Sequence, residues 1–151
     1  MAFSDYRGRQ DLDRAIRDND PGDLDYTPSF QGCTSSDGRF CIFIDMPHGI
    51  RAFYKVMHTY RTQDGCDTLR KIIMRYAPPN ENNSAAYMAG VSNGTGIGLD
   101  DALPTDSASW QRIAQYFFNE EAGGEASKYV TDADYAEGLR LFNESEPGYF
   151  C

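Results

Sequence analysis

One glutamate in this chain stands where a general acid would need to stand. Between residues 107 and 121, Trp110, Ile113, Ala114, Tyr116, Phe117 and Phe118 recur at three- and four-residue steps, which is the spacing of an apolar helix face. On a helical wheel Glu121 projects about 30° from the centre of that face and Glu120 about 70° from it. Apolar surroundings disfavour the charged form of a carboxyl group, so it keeps the proton that a general acid must give. The competing reading is a last helical turn that emerges into solvent, where a glutamate needs no task. Other constellations are weaker. Gly94-Thr-Gly96-Ile-Gly98 follows no strand and lacks a phosphate-loop lysine, so it reads as a flexible loop. His48, His58 and the four cysteines lack the spacing of zinc or redox motifs, and no metal or cofactor is expected.

The elements that must position Glu121 are legible in outline. Leu12 and Ile16, four apart among charges, suggest a short amphipathic helix ending near Asp18. The stretch Asn19-Asp20-Pro21-Gly22-Asp23 then breaks it, since Pro and Gly together specify a turn. Residues 24–46 read as β, most clearly Arg39-Phe40-Cys41-Ile42-Phe43-Ile44. Cys33 and Cys41 flank the turn Ser35-Ser36-Asp37-Gly38, and both a cross-strand disulfide and a pair of free thiols fit that placement.

Helical spacing takes over afterwards. Helices are predicted over about 49–61, from a cap at Asp67 or Thr68 to Pro78, from Asn83 to about Val91, from Asp106 or Ser107 to Glu121, and onward from Thr131. The sum is a mainly α, α+β fold with a small hairpin near its start, and residues 1–151 form a single domain.

A composition 40% hydrophobic and 13% aromatic excludes disorder of the whole chain. No apolar run reaches membrane-spanning length, and the N-terminus lacks the charged-then-apolar pattern of a signal peptide, so neither a membrane nor a standard export signal is expected. A net charge of −9, with 23 acidic against 14 basic residues, argues against a nucleic-acid partner.

Three ordered segments resemble a family of lysozyme-like phage proteins, described as lysins or virion structural proteins. The first is Arg14-Ala-Ile-Arg17-Asp-Asn19-Asp-Pro21-Gly22-Asp23-Leu24, similar to that family's Arg-Gly-Ile-Arg-Asn-Asn-Asn-Pro-Gly-Asn. The second is Asp37-Gly-Arg-Phe40-Cys-Ile-Phe43 followed by Gly49-Ile50-Arg51-Ala52. The third is Ile72-Ile73-Met-Arg75-Tyr76-Ala77-Pro78-Pro79-Asn-Glu81-Asn82 followed by Tyr87. With the last two helices, the resemblance covers most of residues 14–142. Residues 114–123 also resemble the acid-bearing helix of lytic transglycosylases and goose-type lysozymes, and Pro79-Asn80-Glu81-Asn82 with Tyr87 resembles their sugar-groove element. In those enzymes the acid helix precedes the β element, whereas here it follows, which implies a circularly permuted lysozyme-like arrangement. The chain departs from the pattern at Asp18, Asp20 and Asp23, where asparagine is usual, at Phe30 for a tryptophan, and at Ala122 for a polar residue.

The resemblance implies a peptidoglycan-degrading lysin, an antibacterial cell-wall enzyme that cuts the β-1,4 bond between N-acetylmuramic acid and N-acetylglucosamine. Glu121 would be the acid. Asp20 and Asp23 would supply the second carboxylate that a muramidase, unlike a lytic transglycosylase, requires. Glu81, Asn82, Tyr87 and Glu120 would bind substrate. Two alternatives stand beside it: an endopeptidase on the same fold, and a catalytically silent virion or tail module. The acidic charge slows encounter with an anionic wall, although salt screens it beyond about 8–10 Å and carriage on a particle removes the need for steering. The expected partners are therefore peptidoglycan and phage virion or tail proteins, with the protein carried on a virion or released by lysis.

Overall fold

The computed structural model describes residues 3–150. An N-terminal arm leads into one helical turn, α1 (Arg14–Arg17), whose cap Asp13 accepts from the Ala15 N–H. The helix predicted to begin before Leu12 is thus shorter than its spacing suggested, and Leu12 packs into the core from a turn. A tight turn over residues 18–23 follows. Two strands, β1 (Cys33–Ser36) and β2 (Cys41–Phe43), then pair antiparallel. An isolated bridge between Asp25 and Phe40 extends their sheet towards the preceding turn.

The rest is helical: α2 (Met46–Thr62), α3 (Leu69–Tyr76), α4 (Ser84–Thr95), α5 (Ser107–Glu121), a single turn α6 (Ala126–Tyr129) and α7 (Asp132–Ser145). Each long helix starts at a side chain that receives an otherwise free N–H: Asp45, Thr68, Asn83, Asp106 and Thr131. This is the expected mainly α architecture with a small antiparallel sheet.

Three local differences have physical causes. Helix α2 begins at Met46, ahead of Gly49, because Asp45 caps it and Pro47 fits its first turn. Helix α4 continues past Val91 to Thr95, so the predicted glycine loop is partly helical. Gly94 is needed there because the Tyr116 ring fills the space a side chain would take, and the helix stops only at Gly96, φ 75°. Helix α6 was not visible in the sequence, since four residues carry too little periodicity.

Of the two readings open for the cysteine pair, the structure shows the free thiols: Cys33 and Cys41 are not bridged. The register places Cys33 opposite Phe43 and Cys41 opposite Ser36, with a bulge between, so the two cysteines do not form a directly opposed pair. Cys151 lies outside the described residues.

The core forms where α2 meets the other helices. The Phe53 ring packs edge-on against Phe117, Phe118 and Tyr76 at centroid distances of 5.3, 5.0 and 5.8 Å. Trp110, Ile113, Ala114, Phe117 and Phe118 are all buried. The apolar face of α5 is therefore satisfied along its length, and its end reaches the surface beside the turn over residues 18–23.

Candidate functional site

The site is built where three poorly regular segments meet the end of α5. Two residues of the turn after α1 adopt positive φ: Asn19 at 53° and Asp23 at 49°. That conformation costs an ordinary L-residue roughly 1–2 kcal/mol, and Asn and Asp are among the few that adopt it routinely. The turn is held from several sides. The Asn19 amide donates to Asp5 Oδ1 and to the Phe43 carbonyl, both at 2.9 Å, while its oxygen accepts from Tyr6 N at 2.9 Å. Both Asp20 oxygens accept from Leu24 N, at 3.0 and 2.9 Å. The Tyr76 hydroxyl donates to the Gly22 carbonyl.

Beyond this turn opens a cleft of about 350 Å³. Its lining includes the carboxyls of Asp23, Asp25, Glu81 and Glu121, the Asn82 amide, the side chains of Phe30, Val56 and Tyr60, and the hydroxyls of Thr27 and Thr59. Arg39 is the one basic residue among those lining it. The Arg39 guanidinium lies 4.8 Å from the Phe40 ring and reaches Asp25 at 3.2 Å and Glu81 at 3.4 Å, so it links the hairpin to the α3–α4 connection.

Glu121 faces this cleft and is half-buried. The Tyr87 hydroxyl donates to its Oε2 at 2.8 Å, and the Asp23 carboxyl lines the same cleft beside it. Burial raises its pKa above the ordinary glutamate value. The Tyr87 bond opposes that rise, and the neighbouring Glu120 charge adds to it. Asp23 is pushed up to about 7, first by burial and then by the charge of Glu121. Its Oδ1 is buried without a donor, so the carboxyl pair is satisfied when it holds one proton between its two members.

The sequence-derived residues separate on the structure. Glu121, Asp23, Glu81 and Asn82 line one cleft. Asp20 does not: it is fully buried under the turn, where burial raises its pKa and Leu24 occupies both oxygens. Its assignment as a catalytic carboxylate is corrected to that of a turn-forming residue. Glu120 is also corrected. It is exposed and turned towards Gly90 of α4, where a side chain on Gly90 would collide with its carboxylate. Tyr87 is 5% exposed and reaches Glu121 from behind the cleft wall, so it holds the acid rather than lining the groove. Asn83 caps α4 by accepting from Ala86 N, leaving Asn82 to the cleft.

Sequence reasoning passed over Arg39, Asp25, Tyr60 and Tyr76. The two tyrosines recur at core-face positions of their helices, and spacing alone does not tell which edge of a ring meets a groove. Among the described residues no group of three or more His, Cys, Asp or Glu is arranged to hold a metal ion, and no helix is long and apolar enough to cross a membrane.

No protein-family model matches the chain. Over 98 residues it is 32% identical to Protein P5 of Pseudoalteromonas phage PM2, a match covering 60% of this chain and 60% of that protein.

Proposed function

We propose that the chain is a lysozyme-like, circularly permuted lysin domain that cleaves the glycan strand of peptidoglycan, with Glu121 as general acid. One observation carries the reading: a half-buried carboxyl at the end of an apolar helix faces a cleft while a buried tyrosine hydroxyl and a second carboxyl hold it. Burial raises the acid's pKa above the ordinary glutamate value, the direction a general acid needs, and Tyr87 holds it through Oε2.

The arrangement favours a lytic transglycosylase over a muramidase. A hydrolysing enzyme needs a second carboxylate across the sugar, at roughly 5–9 Å from the acid. Asp23 instead touches the acid, and Asp25 and Glu81 are both engaged by Arg39. A transglycosylase needs one carboxyl. Glu121 protonates the leaving oxygen as the C1–O bond breaks. The muramic acid 6-hydroxyl then bonds to C1 and returns its proton to the Glu121 carboxylate, giving a 1,6-anhydro end without water.

Similarity to a phage protein supports a phage setting, with the domain carried in a virion or released at lysis and virion or tail proteins as its further partners. The net charge of −9 gives some support to a second reading, a silent virion module that needs no encounter with the wall. Digestion of purified cell wall followed by mass analysis decides among them. Anhydro-muropeptides are the expected product. Reducing sugar ends would indicate a muramidase and free peptide termini an endopeptidase, while an unaltered wall would leave the structural module.

A further inference from the structure

We propose that Tyr76 is a positioning residue for the acid, anchoring the Gly22 carbonyl and thereby fixing Asp23 against Glu121. The inference rests on the reading of Glu121 as the acid, but its geometry stands independently. Asp23 adopts a positive φ of 49°, which aspartate tolerates better than most residues, and the turn that carries it is tied to its neighbours from several sides. The other hydrogen bonds of residues 20–24 run within the turn, to α1 through Asp20 N and Ala15 O, or to β2 through Cys41 N and Leu24 O. The Tyr76 hydroxyl ties the turn to α3 instead, on the side from which the cleft wall rises.

The tyrosine is itself immobilised. Its ring lies edge-on to Phe117 at 5.2 Å and to Phe53 at 5.8 Å, and Phe117 also packs edge-on to Tyr87 at 5.4 Å. One aromatic cluster therefore sets both groups that hold the acid, with Tyr87 bonding Glu121 directly and Tyr76 acting through Gly22 and Asp23. Burial holds the Tyr76 phenol well above its ordinary pKa, so it remains a donor. The loop approaches so closely that a side chain on Gly22 would meet the Tyr76 hydroxyl at 2.5 Å and Phe53 Cδ1 at 3.3 Å. The charged and titratable groups acting on the pair are Glu120, Asp13, Arg14, Asp20, Asp37 and Arg39, with Tyr87 bonded to Glu121 and the Tyr76 phenol itself close to Glu121.

Tyr76→Phe keeps the ring and deletes the bond, so it isolates the anchor. The first readout needs no substrate: side-chain carboxyl carbon shifts of Asp23 and Glu121 followed by NMR across pH. The apparent ionisation of the pair is expected to move in Tyr76→Phe. On isolated glycan strands kcat is expected to fall roughly tenfold or more with KM within about twofold, because misplacement of an acid affects the transition state more than binding. The pH–rate profile should shift with the NMR titration. An unchanged carboxyl titration in folded Tyr76→Phe overturns the proposal, even if activity falls. Should that variant fail to fold, Gly22→Ala disturbs the same contact from the loop side and must move the same titration. A wild-type protein that cleaves no glycan defeats the assignment of the reaction, while the titration still decides whether Tyr76 positions the pair.

Discussion

Aspartates are buried in two regions of this fold and are kept there by different means. At the start of α7, Asp134 is fully buried, and each of its oxygens accepts a backbone N–H: Ser4 on Oδ1 and Thr131 on Oδ2, both at 3.0 Å. Those two donors, at a helix N-terminus, leave neither oxygen of the buried carboxyl without a hydrogen bond. Around the turn over residues 18–23 the donors run out. Asp18 is 4% exposed with an orphaned Oδ2, and Asp23 has an orphaned Oδ1. Each lies against another carboxyl, Asp37 for Asp18 and Glu121 for Asp23, so a proton on the pair supplies the missing hydrogen bond. One region uses an aspartate to join the N-terminal arm to a helix. The other holds protons beside a cleft, which is what an acid catalyst needs. The same residue type is thus accommodated in two ways, decided by how many donors its surroundings offer.

The largest expected effect strikes the proton-holding region. Glu121→Gln should lower the rate of wall cleavage by roughly 10²–10⁴-fold while leaving the melting temperature near that of wild type, since the amide preserves volume. Glu120→Gln, measured on the same substrate, should stay close to wild type. Full activity in folded Glu121→Gln would remove this residue from the mechanism and break the functional half of the comparison.

Next in size is the satisfied region. Asp134→Ala strands two buried N–H groups and removes half of a capping box, so it should destabilise the fold by about 2–3 kcal/mol in urea or thermal unfolding. A loss no larger than that of an exposed substitution would show that the Asp134 hydrogen bonds add little to the fold.

The pH response of the proton-holding region should be more modest. Burial, with a hydrogen bond to Asp37, pushes Asp18 from an ordinary 3.8 up to about 8. The folded chain then keeps a proton that the unfolded chain releases near pH 4. The stability that this group adds is complete below that pH, declines as pH rises and is gone above about 8. Asp23 acts in the same direction up to about 7. Unfolding midpoints of Asp18→Asn measured from pH 5 to 9 should fall less with pH than those of wild type, because the amide is neutral throughout. Parallel curves for the two proteins would refute the shared proton at Asp18.

The smallest expected effect is on Arg39. Its partners Asp25 and Glu81 are largely exposed, so Arg39→Gln should leave the melting temperature without resolvable change. Any loss in that variant should appear in substrate cleavage alone.

The sequence by itself determined that α3, α4, α5 and α7 exist and narrowed each of their caps to one or two residues. Thr68, Asn83, Asp106 and Thr131 each precede a periodic apolar run, and a cap is a local event requiring only one side chain and the next turn of backbone. It also determined that Glu121 rather than Glu120 shares the buried face of α5, because helical geometry fixes angles over a few residues. The tertiary structure alone decided the rest. Nothing local separates Asp20 from Asp23 in one five-residue turn. The choice depends on Leu24 occupying both oxygens of the first and on Glu121, about a hundred residues away, meeting the second. The same holds for Arg39, whose partner Glu81 comes from another wall of the cleft, and for Tyr76, whose ring is set by α2 and α5 while its hydroxyl reaches the turn. Such contacts arise from packing between distant segments, and the spacing of residues along one segment carries no record of them.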